Sequence, residues 1–255
     1  MNLFPQQALN AGVRKREVFG WAMYDFANSG YTTVVLTAVF SAYFVGVVAG
    51  GADWATLAWT LAISASSLIV MLTMPAIGAY ADLRAAKKRL LALSTTGCVL
   101  ATAALALAGP GDVWLAVAAL VLSLTFYSYG ESLIAAFLPE LARDDAMGRV
   151  SGWGWSFGYL GGMLALGLGL VYASAAQSRG EPATAFVPVV MLITAAIYGM
   201  ASLATFGVRA DRWRILVGDD AQRLDAMVRQ DPEQAYDDSF AATWQADKAP
   251  PARRA

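Results

Sequence analysis

Asp25 and Asn28 stand at the mouth of a long apolar run, WAMYDFANSGYTTVVLTAVFSAYF, residues 21–44. With Thr32 they recur at three-to-four-residue spacing, which sets them on one face of a helix. Beside lipid such a polar stripe faces the inside of a bundle and lines a pathway or gate. Capping of the helix start explains the same residues equally well. A helix beginning near Trp21 leaves Asp25 at the headgroup boundary, with Trp21 and Tyr24 as interfacial anchors.

Glu131, in FYSYGESLIAAFLPEL, is the one acidic residue well inside an apolar stretch, with Tyr127 and Ser128 on its helical face. If that helix runs to Leu138, Glu131 lies about 10 Å inside its end. An ionised carboxylate is costly in lipid, so the residue is a candidate to bind a substrate amine or a coupling proton. A helix that ends earlier leaves it as a structural partner at the interface.

Two further stretches carry geometry more than chemistry. In PAIGAYADLRAAKKRLL, Gly78 allows close helix approach at a span's end. There Asp82 can accept from a helix N-terminus or pair with arginine, beside Arg84 and a basic run from Lys87 to Arg89. Plain cytoplasmic charge with a capping Asp is the competing reading. In GRVSGWGWSFGYLGGMLALGLGL, Gly154, Gly158 and Gly162 recur every four residues, beside a second row of Gly161, Ala165 and Gly169. Such a face lets backbones pack closely, whether the packing is static or must slide.

The elements that position these residues follow from the apolar patterning. Of 255 residues 58% are hydrophobic and 15% charged, against about a quarter charged in soluble domains. Apolar stretches near the ~20 residues needed to cross a bilayer are predicted at 22–48, 55–80, 89–109, 113–138, 152–174 and 184–207. The first is too long for a signal peptide and five more follow it. The expected fold is all-α: a cytoplasmic segment over 1–20, a six-helix membrane bundle over 21–208, and a partly disordered cytoplasmic tail over 209–255. Near the span ends Lys and Arg number twelve on one side (Arg14, Lys15, Arg16, Arg84, Lys87, Lys88, Arg89, Arg143, Arg149, Arg209, Arg212 and Arg214) and one, Arg179, on the other. That bias predicts both termini in the cytoplasm.

Cys98 is the only cysteine and histidine is absent. No internal disulfide, imidazole metal site or His-based catalysis is available. No catalytic pair is visible and the chain is not expected to be an enzyme. A net charge of −1 gives no argument for nucleic acid. No phosphate-binding glycine motif is present, and no metal or cofactor is implied.

WAMYDFANSGYTT, GAYAD, AAFLPEL and GRVSGWGWSFGYLGG resemble the N-terminal half of the vacuole effluxer-like branch of the major facilitator superfamily, over about residues 16–207. The first and last of these are fairly specific, whereas GAYAD is generic. The resemblance implies a transporter of two six-helix bundles working by alternating access, with amino acids as solutes and the bacterial cytoplasmic membrane as location. Gly78 and Asp82 match the superfamily's loop signature. Leu83, Ala85 and Ala86 depart from its basic-Gly-basic continuation, and Leu133 to Phe137 replace a polar family position before Leu-Pro-acidic.

The second bundle of that family has no counterpart here, and rocking transport needs two. A homodimer, a separate second half, or a truncated or frameshifted product are the readings, truncation being expected first. The function expected is a half-length secondary transporter of a small polar solute. A non-transporting scaffold or regulatory subunit is the alternative.

Overall fold

The computed structural model describes residues 4–84 and 86–206. The expected tail, with Arg209, Arg212 and Arg214, lies outside the described residues, as does Ala85 of the second loop. Within them the chain is all-α, with six helices long and apolar enough to cross a membrane. They are α1 (Lys15–Val48), α2 (Ala55–Leu83), α3 (Lys87–Leu107), α4 (Val113–Ala135), α5 (Met147–Ser178) and α6 (Ala183–Phe206).

The connections are dictated by local chemistry. Gly50 and Gly51, at φ 64° and 71°, take the left-handed conformation that turns the chain from α1 into α2. Gly111, at φ 89°, does the same between α3 and α4, where the Asp112 carboxylate accepts the Gly109 N–H at 3.0 Å. After Ala135 the α4 helix ends, and a single turn at Leu138–Leu141 with Pro139 near its start leads toward α5.

The first span is not a uniform α-helix. It is α-helical over Lys15–Tyr31, π-helical over Thr32–Ala38, α-helical over Phe40–Tyr43 and π-helical again over Phe44–Val48. Bonds such as Val39 N–H to the Val34 carbonyl span five residues. The altered phase delivers Phe40 and Phe44, both fully buried, against Trp59 of α2, with ring centroids 6.2 and 5.5 Å away.

Lipid supplies no hydrophobic drive between helices, so small residues and buried hydroxyl pairs join the bundle. Ser66 of α2 meets Thr125 of α4 at 3.0 Å, and Tyr31 of α1 meets Ser123 of α4 at 2.8 Å. On α5, a Cβ added to Gly161 would run into the backbone of Phe26. A Cβ on Gly162 would stand 3.0 Å from Thr33 Oγ1, and one on Gly169 would stand 3.1 Å from Val190 of α6. Ala165 takes the place facing Gly30, whose own added Cβ would lie 3.2 Å from it. The two rows of small residues thus bring α5 onto α1 and α6.

A feature with no sequence expectation behind it is a strap before α1. Phe4, 4% exposed, packs on Trp153 and Phe157 of α5 at 5.1 and 6.2 Å. Leu9 bridges Ala142, Asn10 N–H donates to the Leu141 carbonyl, and Arg143 N–H donates to that of Ala8. The Asn10 amide donates to the carbonyls of Pro139 and Glu140.

Candidate functional site

At 100° per residue, Trp21, Asp25, Asn28 and Thr32 fall within about 60° on α1. Their neighbours fix where that stripe looks. Phe26, Ser29, Gly30 and Thr33 pack toward α5. Tyr24 and Tyr31 turn the other way: Tyr24 meets Thr95 of α3 at 3.0 Å and Tyr198 of α6 at 3.3 Å. Tyr31 stacks on Tyr127 of α4, with centroids 4.9 Å apart and planes inclined 19°. The stripe therefore lies between α4 and α5. Trp21 marks that gap, donating from its indole N–H to the Ile134 carbonyl of α4 at 3.0 Å while its ring lies over Gly154 of α5.

Asp25 sits over the glycines of α5. A Cβ on Gly158 would be 3.1 Å from its Oδ2 and 2.7 Å from Ser29 Oγ. Glu131 of α4 is close enough to act on it electrostatically, and acts likewise on the Tyr127 hydroxyl one turn back on its own helix. Asn28 is 3% exposed, and its side-chain amide meets the Tyr198 hydroxyl at 3.1 Å. Thr32, half-buried, donates its hydroxyl back to the carbonyls of Asn28 and Ser29 at 3.3 and 3.2 Å. Two carboxylates on different helices thus lie within electrostatic reach of each other.

Several expectations are corrected. The helix starts at Lys15, with Glu17 accepting from the Arg14 N–H, so Asp25 lies about 15 Å along it. It does not cap the helix. Tyr24 is fully buried in the bundle and so is not an interfacial anchor, while half-buried Trp21 is held by α4 and α5. The α4 helix stops at Ala135, which places Glu131 about 6 Å from its end in place of 10 Å. Glu131 is exposed on the bundle surface, while Tyr127 on the same face is buried.

In the second loop, Gly78 meets no helix: a Cβ there would find nothing within 4 Å. Asp82 pairs with Lys87 at 3.2 Å and not with an arginine; Arg84 is exposed. Lys87, the first residue of α3, also binds Glu140 at 3.1 Å. It therefore ties α2, α3 and the turn after α4 together, its two carboxylates offsetting a cation at a helix N-terminus. Glu140 had no role on sequence grounds, although it stands in the quoted LPEL. Tyr198 had no signal beyond a tyrosine within an apolar span. Among the described residues no group of three or more His, Cys, Asp or Glu could hold a metal ion.

Comparison with known proteins places the chain. The family profile described as Major Facilitator Superfamily matches residues 5–166. An uncharacterized MFS-type transporter, YxiO, of Bacillus subtilis (strain 168) is 31% identical over 191 residues, covering 71% of this chain and 43% of the relative. The chain thus spans less than half the length of that relative. No solved structure matches.

Proposed function

The chain belongs to the major facilitator superfamily, and from that premise we propose that it forms one six-helix half of a secondary transporter for a small polar solute. It is an integral membrane protein, with the lipid bilayer as its surroundings. The observation that carries the transport reading is the gap between α4 and α5, where half-buried Asp25 and exposed Glu131 lie within each other's field among apolar helices. Carboxylates in such a place are expensive to hold unless a solute or proton uses them.

In this reading Asp25, Asn28 and Thr32 line the entrance, and Tyr127 and Glu131 contact solute or a coupling proton. Asp82, with Gly78 and Arg84 beside it, belongs to a gating loop fastened through Lys87. The face of Gly154, Gly158, Gly161, Gly162, Ala165 and Gly169 carries the α1 contact as the bundle rocks. The basic residues at the Lys15 end of α1 and at the α2–α3 loop put that side in the cytoplasm. The domain plan is a segment over 1–20, a bundle over 21–208 and a tail over 209–255. Resemblance of YDFANS and RVSGWGWSFGYLGG to the vacuole effluxer-like branch makes amino acids the first solutes to try.

Exposed apolar side chains on α2 and α5, among them Leu61, Leu68, Leu72, Trp155 and Met163, leave room for a second bundle. That bundle is a second copy of this chain, a separate half, or a further stretch of the same protein. The test is uptake of labelled amino acids into proteoliposomes, with and without a pH gradient. Glu131→Gln is expected to lower uptake about ten-fold, the worth of one charge-assisted contact. Uptake indifferent both to that substitution and to the gradient would remove Glu131 and proton coupling from the mechanism. No uptake by the folded protein would refute transport by this chain alone.

A further inference from the structure

The carbonyls at the end of the Leu138–Leu141 turn find their donors in the strap. That of Leu138 accepts from the Ala142 N–H at 2.9 Å, within the turn itself. Those of Pro139 and Glu140 take the Asn10 side-chain amide, at 2.9 and 3.2 Å, and that of Leu141 takes the Asn10 backbone N–H, at 3.0 Å. One asparagine thus caps the turn, and the Arg143 N–H donates back to the Ala8 carbonyl at 3.1 Å. The strap is itself folded for this contact. The Gln6 amide donates to the Val13 carbonyl at 2.7 Å, and Gly12, at φ 83°, turns the chain toward α1. Phe4, Ala8, Leu9 and Val13 are all buried, unlike residues of an untied end. Phe19 of α1 closes on the same Phe157 ring as Phe4, at 5.7 Å.

The turn held in this way stands at one end of the gap that contains Asp25. That gap lies between α4 and α5, and residues 136–146 are the connection between those two helices. They therefore cross the gap at the end where α1 begins. Trp21 stands beside the crossing, its indole N–H on the carbonyl of Ile134, one residue before α4 stops. A second hold reaches the same turn from another side, where Lys87 binds Glu140 at 3.1 Å and Asp82 at 3.2 Å. The strap grips the turn by its backbone, and the α2–α3 loop grips it by its carboxylate.

We propose that residues 4–13 are a latch. Docked, they hold the 138–141 turn across the gap and close it at the end where α1 begins. Undocked, they free the turn and admit water and solute to the α1 stripe from that end. On release the strap's hydrogen bonds are exchanged for bonds to water, whereas the burial of Phe4 and Leu9 is lost outright. The aromatic seat of Phe4 on Trp153 and Phe157 therefore sets the balance between the two states. This rests on the gap being the solute pathway and adds what closes one end of it.

The test is thiol labelling of the full chain in nanodiscs, where both faces are open to reagent. Cys98→Ala removes the native thiol, and Thr32→Cys places a reporter on the stripe about 10 Å deeper than Asp25. Ala42→Cys, exposed toward the other end of α1, is the control. A cationic methanethiosulfonate should label Thr32→Cys about ten-fold or more faster once Phe4→Ala or Asn10→Leu is added, because labelling follows the open population. The Ala42→Cys rate should not change. Hydrogen exchange reads the latch directly: the Asn10 and Arg143 amides should exchange slowly in the parent and fast in either variant. Released amides with unchanged Thr32→Cys labelling overturn the latch and leave transport to the uptake assay. Amides that stay slow in both variants overturn it, as does equal acceleration at Ala42→Cys. Fast exchange of both amides in the unaltered chain overturns it whether or not any variant folds.

Discussion

Substituting alanine along α5 should change the sign of its effect from one glycine to the next. Replacing a mid-helix glycine by alanine favours the helix by up to about 1 kcal/mol. Forcing a methyl into a filled contact costs about 1–3 kcal/mol. Gly152 has nothing within 4 Å of an added Cβ, so Gly152→Ala keeps the gain. At Gly158 the new methyl meets side-chain ends, Ser29 Oγ at 2.7 Å and Asp25 Oδ2 at 3.1 Å, which can rotate aside. At Gly161 it meets the Phe26 backbone, and α1 itself must move. Gly161→Ala should therefore destabilise by about 2 kcal/mol net, lowering the midpoint by roughly 4–8 °C by the scaling for chains of this size. Gly158→Ala should fall between the two. Thermal melts followed by circular dichroism in one detergent check the order. A Gly161→Ala protein melting at or above the parent, with Gly152→Ala below it, would refute the claim that α1 and α5 touch through backbone.

Lys87→Ala removes both ion pairs that fasten the second loop. Asp82 is 69% exposed while Glu140 is 24% exposed, so the loss should be modest, about 1 kcal/mol after solvent screening. The deficit relative to the parent should shrink in 1 M salt; a deficit independent of salt would mean the pairs contribute little. Phe4→Ala strips the anchor of the strap from Trp153 and Phe157. Losing about 2 kcal/mol of burial should raise the undocked population about thirty-fold. Limited proteolysis between Leu9 and Arg16 should then accelerate while the six spans stay intact. Unchanged cleavage would place the hold on the strap in its backbone bonds to 141–143.

Six spans and their order were legible because lipid imposes a length on every helix and leaves backbone no alternative partner. Boundaries differ where interfacial and charged residues continue a helix beyond its apolar part, as at Lys15 and over Met147 to Ser151. The small residues of α5 could be read because spacing alone defines a face. Gly78 shows the limit of that argument, since a glycine says that a neighbour could approach and not that one does. The polar stripe of α1 was legible as far as Tyr31. Beyond Thr32 the π-helical phase moves the side chains, and nothing in TTVVLTA announces it. Tyr24 and Tyr198 were not legible as a pair. Each is an ordinary tyrosine in its own span, and only packing brings residues 174 positions apart within hydrogen-bonding reach.

The strap also sets a timetable for assembly. Its Asn10 contacts lie up to 130 residues down the chain, and its Phe4 contacts lie on α5. At about 5–20 residues per second, a ribosome needs roughly 7–26 s to synthesise that intervening stretch. Throughout that interval Phe4 and Leu9 have no docking surface, although four later spans are being inserted. The strap is thus made before the six spans and is among the last of the described segments to find its place. A nascent chain stalled before Trp153 should display those apolar residues to whatever chaperone or membrane surface stands nearby.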